Sequence, residues 1–303
     1  MKNPFQEQAF FMLRILPQVA AEDRFALKGG TAINFFLRDL PRLSVDIDLT
    51  YLPVEPRKET LQGIAEALNR IRTRISRAAP GATIHEGRYE GMLSKLFVRN
   101  SANEVKIEPN LVIRGAVQPA RERTLSPKTI ERFGMSVDMK TLSDADLYGG
   151  KICAALDRQH PRDLFDVKVL LENEGITPEI RKAFIVYLIS HDRPMHEVLN
   201  PTRKKDVRVA FNSDFQGMTD EPVGYQALSD AREDLIAAVN RGLTSGEKGF
   251  LLSLKEGEPD WKLLGLTNVE DLPAVRWKLQ NIRKMDKAKQ RDYARRLKKV
   301  LGI

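Results

Sequence analysis

The sequence predicts an α+β protein: a small mixed sheet with helices over residues 1–142, then a mainly helical domain over 143–303. Strict apolar and polar alternation over Ser44–Tyr51 is strand grammar, and further strand candidates follow it. Helical spacing at Leu61, Ile64, Leu68, Ile71 and Ile75 lays a helix beside them. Past residue 143 the patterns that persist, such as Ile180–Ile189 and Ala227–Val239, are helical. A chain of 303 residues suits two domains of about 100–200 residues each.

In chain order, Phe5–Leu16 reads as an amphipathic helix and Phe25–Leu27 as an extended apolar run that meets Gly29-Gly30-Thr31. Thr31 is placed to N-cap a helix over Ala32–Leu40. After the Ser44–Tyr51 strand, a helix is expected over 58–78, then strands at Lys95–Arg99 and Glu104–Ile113 and a short one near Met135–Met139. Ser143, followed three residues later by Asp146, offers a capping box for the first helix of the second domain. The glycines and prolines between Gly246 and Pro273 predict a loop-rich connection into one final amphipathic helix. No internal repeat is visible.

Composition excludes several classes of protein. Cys153 is the only cysteine, which rules out a disulfide scaffold, and its neighbours Ile152, Ala154 and Ala155 make it a buried core residue and not a reactive thiol. No apolar run reaches the roughly 20 residues that span a bilayer, and the opening MKNPFQEQAF lacks the apolar stretch of a signal peptide, so the expected location is the cytoplasm. His85, His160, His191 and His196 form no metal-spaced set with cysteine, which argues against zinc. Net charge is +8, and residues 276–303 alone hold eleven Lys and Arg against two Asp. Such a tail is the footprint of a polyanion partner, the alternative being a solvated face that aids solubility.

The chemistry centres on Gly29-Gly30-Thr31 followed by Asp46-Ile47-Asp48. A strand turns both aspartates to one side, about 7 Å apart, while Val45, Ile47 and Leu49 anchor the other side in the core. Paired carboxylates of this kind hold divalent cations for in-line phosphoryl displacement. Glycines ahead of a helix let backbone N–H groups approach a phosphate, and the helix dipole favours its charge. Either piece alone is weak, since paired surface aspartates and Gly-Gly turns are common; glycine turn, helix and alternating strand in that order are more specific. Glu108 alternates with Val105 and Ile107, which puts it on the face opposite the core. An unpaired buried carboxylate there is costly and a metal would remove that cost, the alternative being an exposed glutamate paired with Lys106.

Lys28–Leu49, KGGTAINFFLRDLPRLSVDIDL, resembles the signature of polymerase-β-type nucleotidyltransferases, and specifically of the AbiEii/AbiGii family that includes the MenT-type toxins. Thr31 stands where serine is more usual in the wider superfamily and the gap to Asp46 is slightly long, whereas Arg42-Leu43-Ser44 is AbiEii-like. The resemblance continues in Leu147–Lys151 (LYGGK), Arg158, Arg162–Asp166 (RDLFD) and Gly257–Leu264 (GEPDWKLL). It implies a polymerase-β-like catalytic domain, and a toxin of a toxin–antitoxin or phage-defence pair that transfers nucleotides from an NTP, with tRNA as acceptor in characterised relatives and a cognate antitoxin as partner. It also implies Mg2+, as two ions with Mn2+ an alternative, held by Asp46, Asp48 and Glu108, and a nucleotide site at Lys28, Gly29, Gly30, Thr31 and Ser44.

In the second domain, Gly149 and Gly150 leave a helix bare at a cost of roughly 1 kcal/mol each, which signals close approach by another backbone or by a triphosphate. Lys151 and Arg158 lie two turns apart on one helix face, and Asp163 and Asp166 share a face of the helix that Pro161 opens. Spacing alone leaves Lys151 paired with an aspartate or bound to phosphate. The resemblance implies that Lys151 binds NTP phosphates and that Asp166 orients it or assists deprotonation of the acceptor, with Arg158 and Arg162 as further phosphate ligands. Nucleotidyl transfer to an RNA 3′ end leads; transfer to a protein or small molecule, and a non-catalytic nucleic-acid-binding protein, are the rivals.

Overall fold

The computed structural model describes residues 3–202 and 205–303 and divides into two compact units, Met1–Ser143 with Phe215–Pro222, and Asp144–Asp214 with Val223–Ile303. The mixed sheet followed by helices matches the predicted fold class. No sequence signal announced Phe215–Pro222 as part of the first unit. There Met218 is buried and its carbonyl accepts from the Leu43 N–H at 2.7 Å, while Asp220 pairs with Arg132 at 2.7 Å and with Lys128 at 3.0 Å. Among the described residues no helix is long and apolar enough to cross a membrane.

In the first unit α1 (Pro4–Ala20) starts on Pro4, with the Asn3 side chain accepting from the Phe5 N–H. Then come β1 (Phe25–Lys28), α2 (Gly29–Ala32) running into a π-helical turn at Ile33–Leu37, β2 (Ile47–Tyr51), α3 (Arg57–Ala78), β3 (Thr83–Tyr89), β4 (Met92–Arg99), β5 (Glu104–Pro109), β6 (Arg121–Thr124), α4 (Pro127–Phe133) and β7 (Asp138–Thr141). The seven strands form one sheet in the order β3-β4-β5-β2-β1-β7-β6. β2 lies between antiparallel β1 and parallel β5, so it is central, and the fully buried Ile47 and Leu49 fix its inner face.

Several expectations are corrected here. Thr31 is not an N-cap: α2 begins at Gly29, and Thr31 lies inside it. The helix expected to Leu40 ends at Leu37, and Leu40 takes a positive φ of 56°. β2 starts at Ile47, so Asp46 lies just ahead of the strand and not within it. The strand expected to reach Ile113 stops at Pro109, where the Asn110 side chain takes the N–H groups of Val112 and Ile113.

The second unit holds α5 (Asp144–Arg158), α6 (Pro161–Glu172), α7 (Pro178–Ser190), α8 (Met195–Leu199), α9 (Arg208–Asp214), α10 (Tyr225–Gly242), α11 (Ser245–Glu256), α12 (Pro273–Arg283) and α13 (Lys287–Leu301). The loop-rich connection predicted after Gly246 is therefore in part a helix, α11, opened by a capping box of Thr244 and Glu247. The single terminal helix is two helices, broken where Asp286 caps α13 by accepting from the N–H groups of Ala288 and Lys289.

The bare glycines of α5 are explained by packing. A Cβ on Gly149 would stand 2.7 Å from the Phe184 nitrogen and 2.8 Å from the Ala183 carbonyl carbon, so the backbones of α5 and α7 meet there. A Cβ on Gly150 would meet the Tyr187 ring at 3.2 Å. Of the two readings left open by sequence, the neighbouring backbone occupies this place. Gly149→Ala is expected to destabilise the protein by about 1–3 kcal/mol through overpacking, read as a lowered midpoint in urea unfolding. Cys153 is buried in the same helix, and burial pushes its thiol up to about 12.

Candidate active site

The candidate site is built on three adjacent strands of the first unit. Lys28 on β1 pairs in register with Asp48 on β2, and Asp48 pairs in register with Glu108 on β5. Because side chains at paired positions share a sheet face, a cation and two carboxylates stand in a row, all three partly exposed. Asp46 extends the same edge, one residue before Ile47 as Lys106 is one before Ile107, and Ile47 and Ile107 are themselves paired.

The glycine turn shapes this edge from β1. Gly29 has φ 72°, and a Cβ there would lie 2.5 Å from Asp48 Oδ2, so only glycine admits the carboxylate against the chain. A Cβ on Gly30 would meet Arg42 Nη2 at 2.6 Å and Ser44 Oγ at 3.0 Å. Thr31 and Ser44, expected to touch the nucleotide, are only 1% and 5% exposed. The Thr31 hydroxyl lies 2.9 Å from Ser44 Oγ and 2.5 Å from the carbonyl of Asp46, which ties α2 to the segment presenting Asp46. Arg42 is buried beside them and donates to the Leu43 carbonyl at 2.7 Å.

Glu108 is held by two lysines, Lys95 Nζ on Oε1 and Lys106 Nζ on Oε2, each at 2.7 Å. Burial would raise its carboxyl, but these ammonium groups outweigh it and hold Glu108 below the usual carboxylate range. Burial would lower Lys106, yet Glu108, Asp46 and Asp48 together raise it. Neither Lys95 nor Lys106 was singled out as a site residue from sequence; the alternation that put Lys106 on the face of Glu108 was the available signal. Among the described residues no group of three His, Cys, Asp or Glu side chains is placed to hold a metal ion. The fit to Mg2+ therefore rests on Asp46 and Asp48. Two hard carboxylate donors suit an ion that takes one or two protein ligands and fills its shell with phosphate oxygens and water.

The residues expected from the second unit form a buried ionic cluster of their own. Lys151 Nζ on α5 lies 2.9 Å from Asp163 Oδ1 and 2.9 Å from Asp166 Oδ2, both on α6, and all three side chains are buried. Arg158 closes the cluster, with Nη2 donating to Asp163 Oδ1 at 2.9 Å and Nε to Oδ2, while its side chain stays 60% exposed. Burial would raise the Asp163 carboxyl, but Lys151 and Arg158 hold it well below the usual range. Arg162 stands in the first turn of α6, partly exposed, its N–H donating to His160 Nδ1 at 3.2 Å.

On the terminal helices Ile282, Leu297 and Leu301 are buried, whereas Trp277 is half exposed. Lys278 leaves the basic face: it is buried, and its Nζ donates to the carbonyls of His191, Asp192 (3.2 Å) and Arg193 (2.9 Å) just beyond α7. Burial pulls its amine down to about 8.

Glycine turn, paired aspartates and central strand on a mixed sheet define a nucleotidyltransferase-type edge. The chain belongs to the family of nucleotidyl transferase AbiEii toxins of type IV toxin–antitoxin systems, whose family model matches residues 11–302. Membership makes it a nucleotidyltransferase toxin and implies a nucleotide substrate and an antitoxin partner. Among solved structures it is similar to MenT4, a nucleotidyltransferase toxin from Mycobacterium tuberculosis, with a TM-score of 0.57 and 16% sequence identity over 98% of this chain and 93% of that one. At that identity the likeness establishes the fold. Comparison with curated proteins gives no match.

Proposed function

We propose that this toxin transfers a nucleotide from an NTP to the 3′ end of an RNA, tRNA by preference, in the cytoplasm and under the control of its antitoxin, as one half of a phage-defence pair. The observation that carries the reading is the Asp46 and Asp48 pair at the head of a central strand, with Gly29 opened to receive the Asp48 carboxylate. Bound Mg2+, as one ion or two, supplies charge that acidifies the acceptor hydroxyl and neutralises the leaving pyrophosphate. Asp46 and Asp48 hold it. Lys28 and the backbone of Gly29 and Gly30 meet the triphosphate, while Thr31 and Ser44 act by position, fixing the segment that carries Asp46. The acceptor oxygen bonds the α-phosphorus as the bond to the β-bridging oxygen breaks; pyrophosphate leaves with the electron pair and the hydroxyl proton passes to solvent.

Within the second unit, the buried Asp166, paired through Oδ2 with Lys151, suits orientation of that lysine better than proton abstraction. Arg158, exposed and backed by Asp163, is the cation of this cluster best able to reach a phosphate, with Arg162 beside it in sequence on α6. The test is incubation with each labelled NTP, Mg2+ and a mixture of total cellular RNA and protein. Label in tRNA is expected; label in protein would favour the first rival, and no incorporation would favour the non-catalytic one.

RNA is held by α13, whose Arg291, Arg295, Arg296, Lys298 and Lys299 are exposed while Ala294 and Leu297 face inward. Reversing Arg295 and Lys298 to Glu should weaken RNA binding and flatten its salt dependence, by nearly one unit of slope for each phosphate no longer neutralised. An unchanged slope in a salt titration assigns the helix to solubility or to antitoxin binding.

A further inference from the structure

The carboxylate edge already contains a cation. Lys106 shares a sheet face with Glu108, because Val105 and Ile107 between and beside them are buried, and by register it stands next to Asp46 as Glu108 stands next to Asp48. Its Nζ is 2.7 Å from Glu108 Oε2, and Lys95 takes the other oxygen at the same distance. Three carboxylates along one edge repel one another, and the ammonium of Lys106, which Glu108, Asp46 and Asp48 all stabilise, offsets that repulsion.

We propose that Lys106 is the resident counter-cation of this edge, releasing Glu108 and turning to the NTP phosphates when a divalent cation is loaded. This rests on the proposal that Asp46 and Asp48 hold the metal. A purely structural pair is the weaker account, because an ion pair exposed to about a third on each side contributes little to stability. Lys106 is about one-third exposed and carries its charge on a flexible four-carbon stem, so it can exchange one anionic partner for another without moving the strand. Glu108 is turned to its lysines, and for that reason it does not join Asp46 and Asp48 in a three-carboxylate cluster. Divalent cation and triphosphate then bind cooperatively, since each makes room for the other.

The experiment measures Mn2+ binding to the full chain by electron paramagnetic resonance, without nucleotide, and inorganic tripolyphosphate binding by calorimetry in saturating Mn2+. Lys106→Met should tighten Mn2+ by about tenfold and weaken tripolyphosphate by a similar factor, the scale expected for removing one charge a few ångströms away. Lys106→Arg should keep both affinities near the wild-type values. Lys95→Met, acting through the same glutamate, should tighten Mn2+ in the same direction. If Lys106→Met and Lys95→Met leave Mn2+ affinity unchanged or lower it while Asp48→Asn weakens it, the counter-cation role is overturned and the metal site stands. Mn2+ binding indifferent to Asp48→Asn as well would overturn both.

Discussion

Asp48→Asn is expected to lower nucleotidyl transfer by at least about 10³-fold and to leave the folded structure in place. The substitution keeps shape and removes charge. A bound metal is worth several kcal/mol of transition-state stabilisation, and each 1.36 kcal/mol is tenfold in rate. Asp48 is partly exposed on the sheet face opposite the buried Ile47 and Leu49, so nothing in the core depends on it. It shares its edge with Asp46 and Glu108, and removing one of several neighbouring like charges should leave the midpoint of thermal unfolding unchanged or slightly raised. Transfer assays paired with circular dichroism check both halves. A folded Asp48→Asn variant with wild-type rate would remove this edge from the chemistry.

Lys151→Met should have the largest effect on stability, about 3–5 kcal/mol, because it leaves Asp163 and Asp166 buried with one cation fewer. Lost activity in this variant therefore says nothing about phosphate binding until folding is measured. Adding Asp163→Asn and Asp166→Asn should restore much of the stability, since neutral amides carry no unpaired charge. The sign of the pH dependence follows from Asp163. Its folded carboxyl titrates below the unfolded one, so the stabilisation is complete above the unfolded value near 4 and is lost as pH falls toward the folded value. Urea unfolding from pH 6 down to pH 3 should show stability falling below about pH 4 in the wild type. The triple variant should show a shallower fall.

The candidate site was legible in the sequence where its geometry is local. Asp46 and Asp48 flank one residue of a strand and Gly29 sits at the start of a helix, so period and turn chemistry suffice to find them. What Gly29 admits could not be read, because the Asp48 carboxylate reaches it only through strand pairing. Thr31 has the residue type of a cap, but its hydroxyl is spent across the turn on Asp46 and Ser44. Gly149 announced a close approach; its partner, the α7 backbone at Ala183 and Phe184, is more than thirty residues away along the chain. β3 escaped notice because an edge strand with an exposed face, here TIHEGRY, has little apolar alternation to show. α11 was hidden by Gly246 and Gly249, although its capping box at Thr244 and Glu247 was there to be read. Lys278 is indistinguishable from its basic neighbours in sequence, since nothing in a run of lysines and arginines marks the one whose amine turns inward to three carbonyls.

Transfer of a nucleotide to an RNA 3′ end through Asp46 and Asp48 is tested most directly by blocking the acceptor chemically. Purified tRNA, intact or with its 3′ diol oxidised by periodate, is incubated with Mg2+, the protein and NTPs labelled at the α-phosphate. The expected result is label on intact tRNA, none on oxidised tRNA, and none on either with Asp48→Asn. Equal labelling of oxidised and intact tRNA, or wild-type labelling by Asp48→Asn, would contradict it.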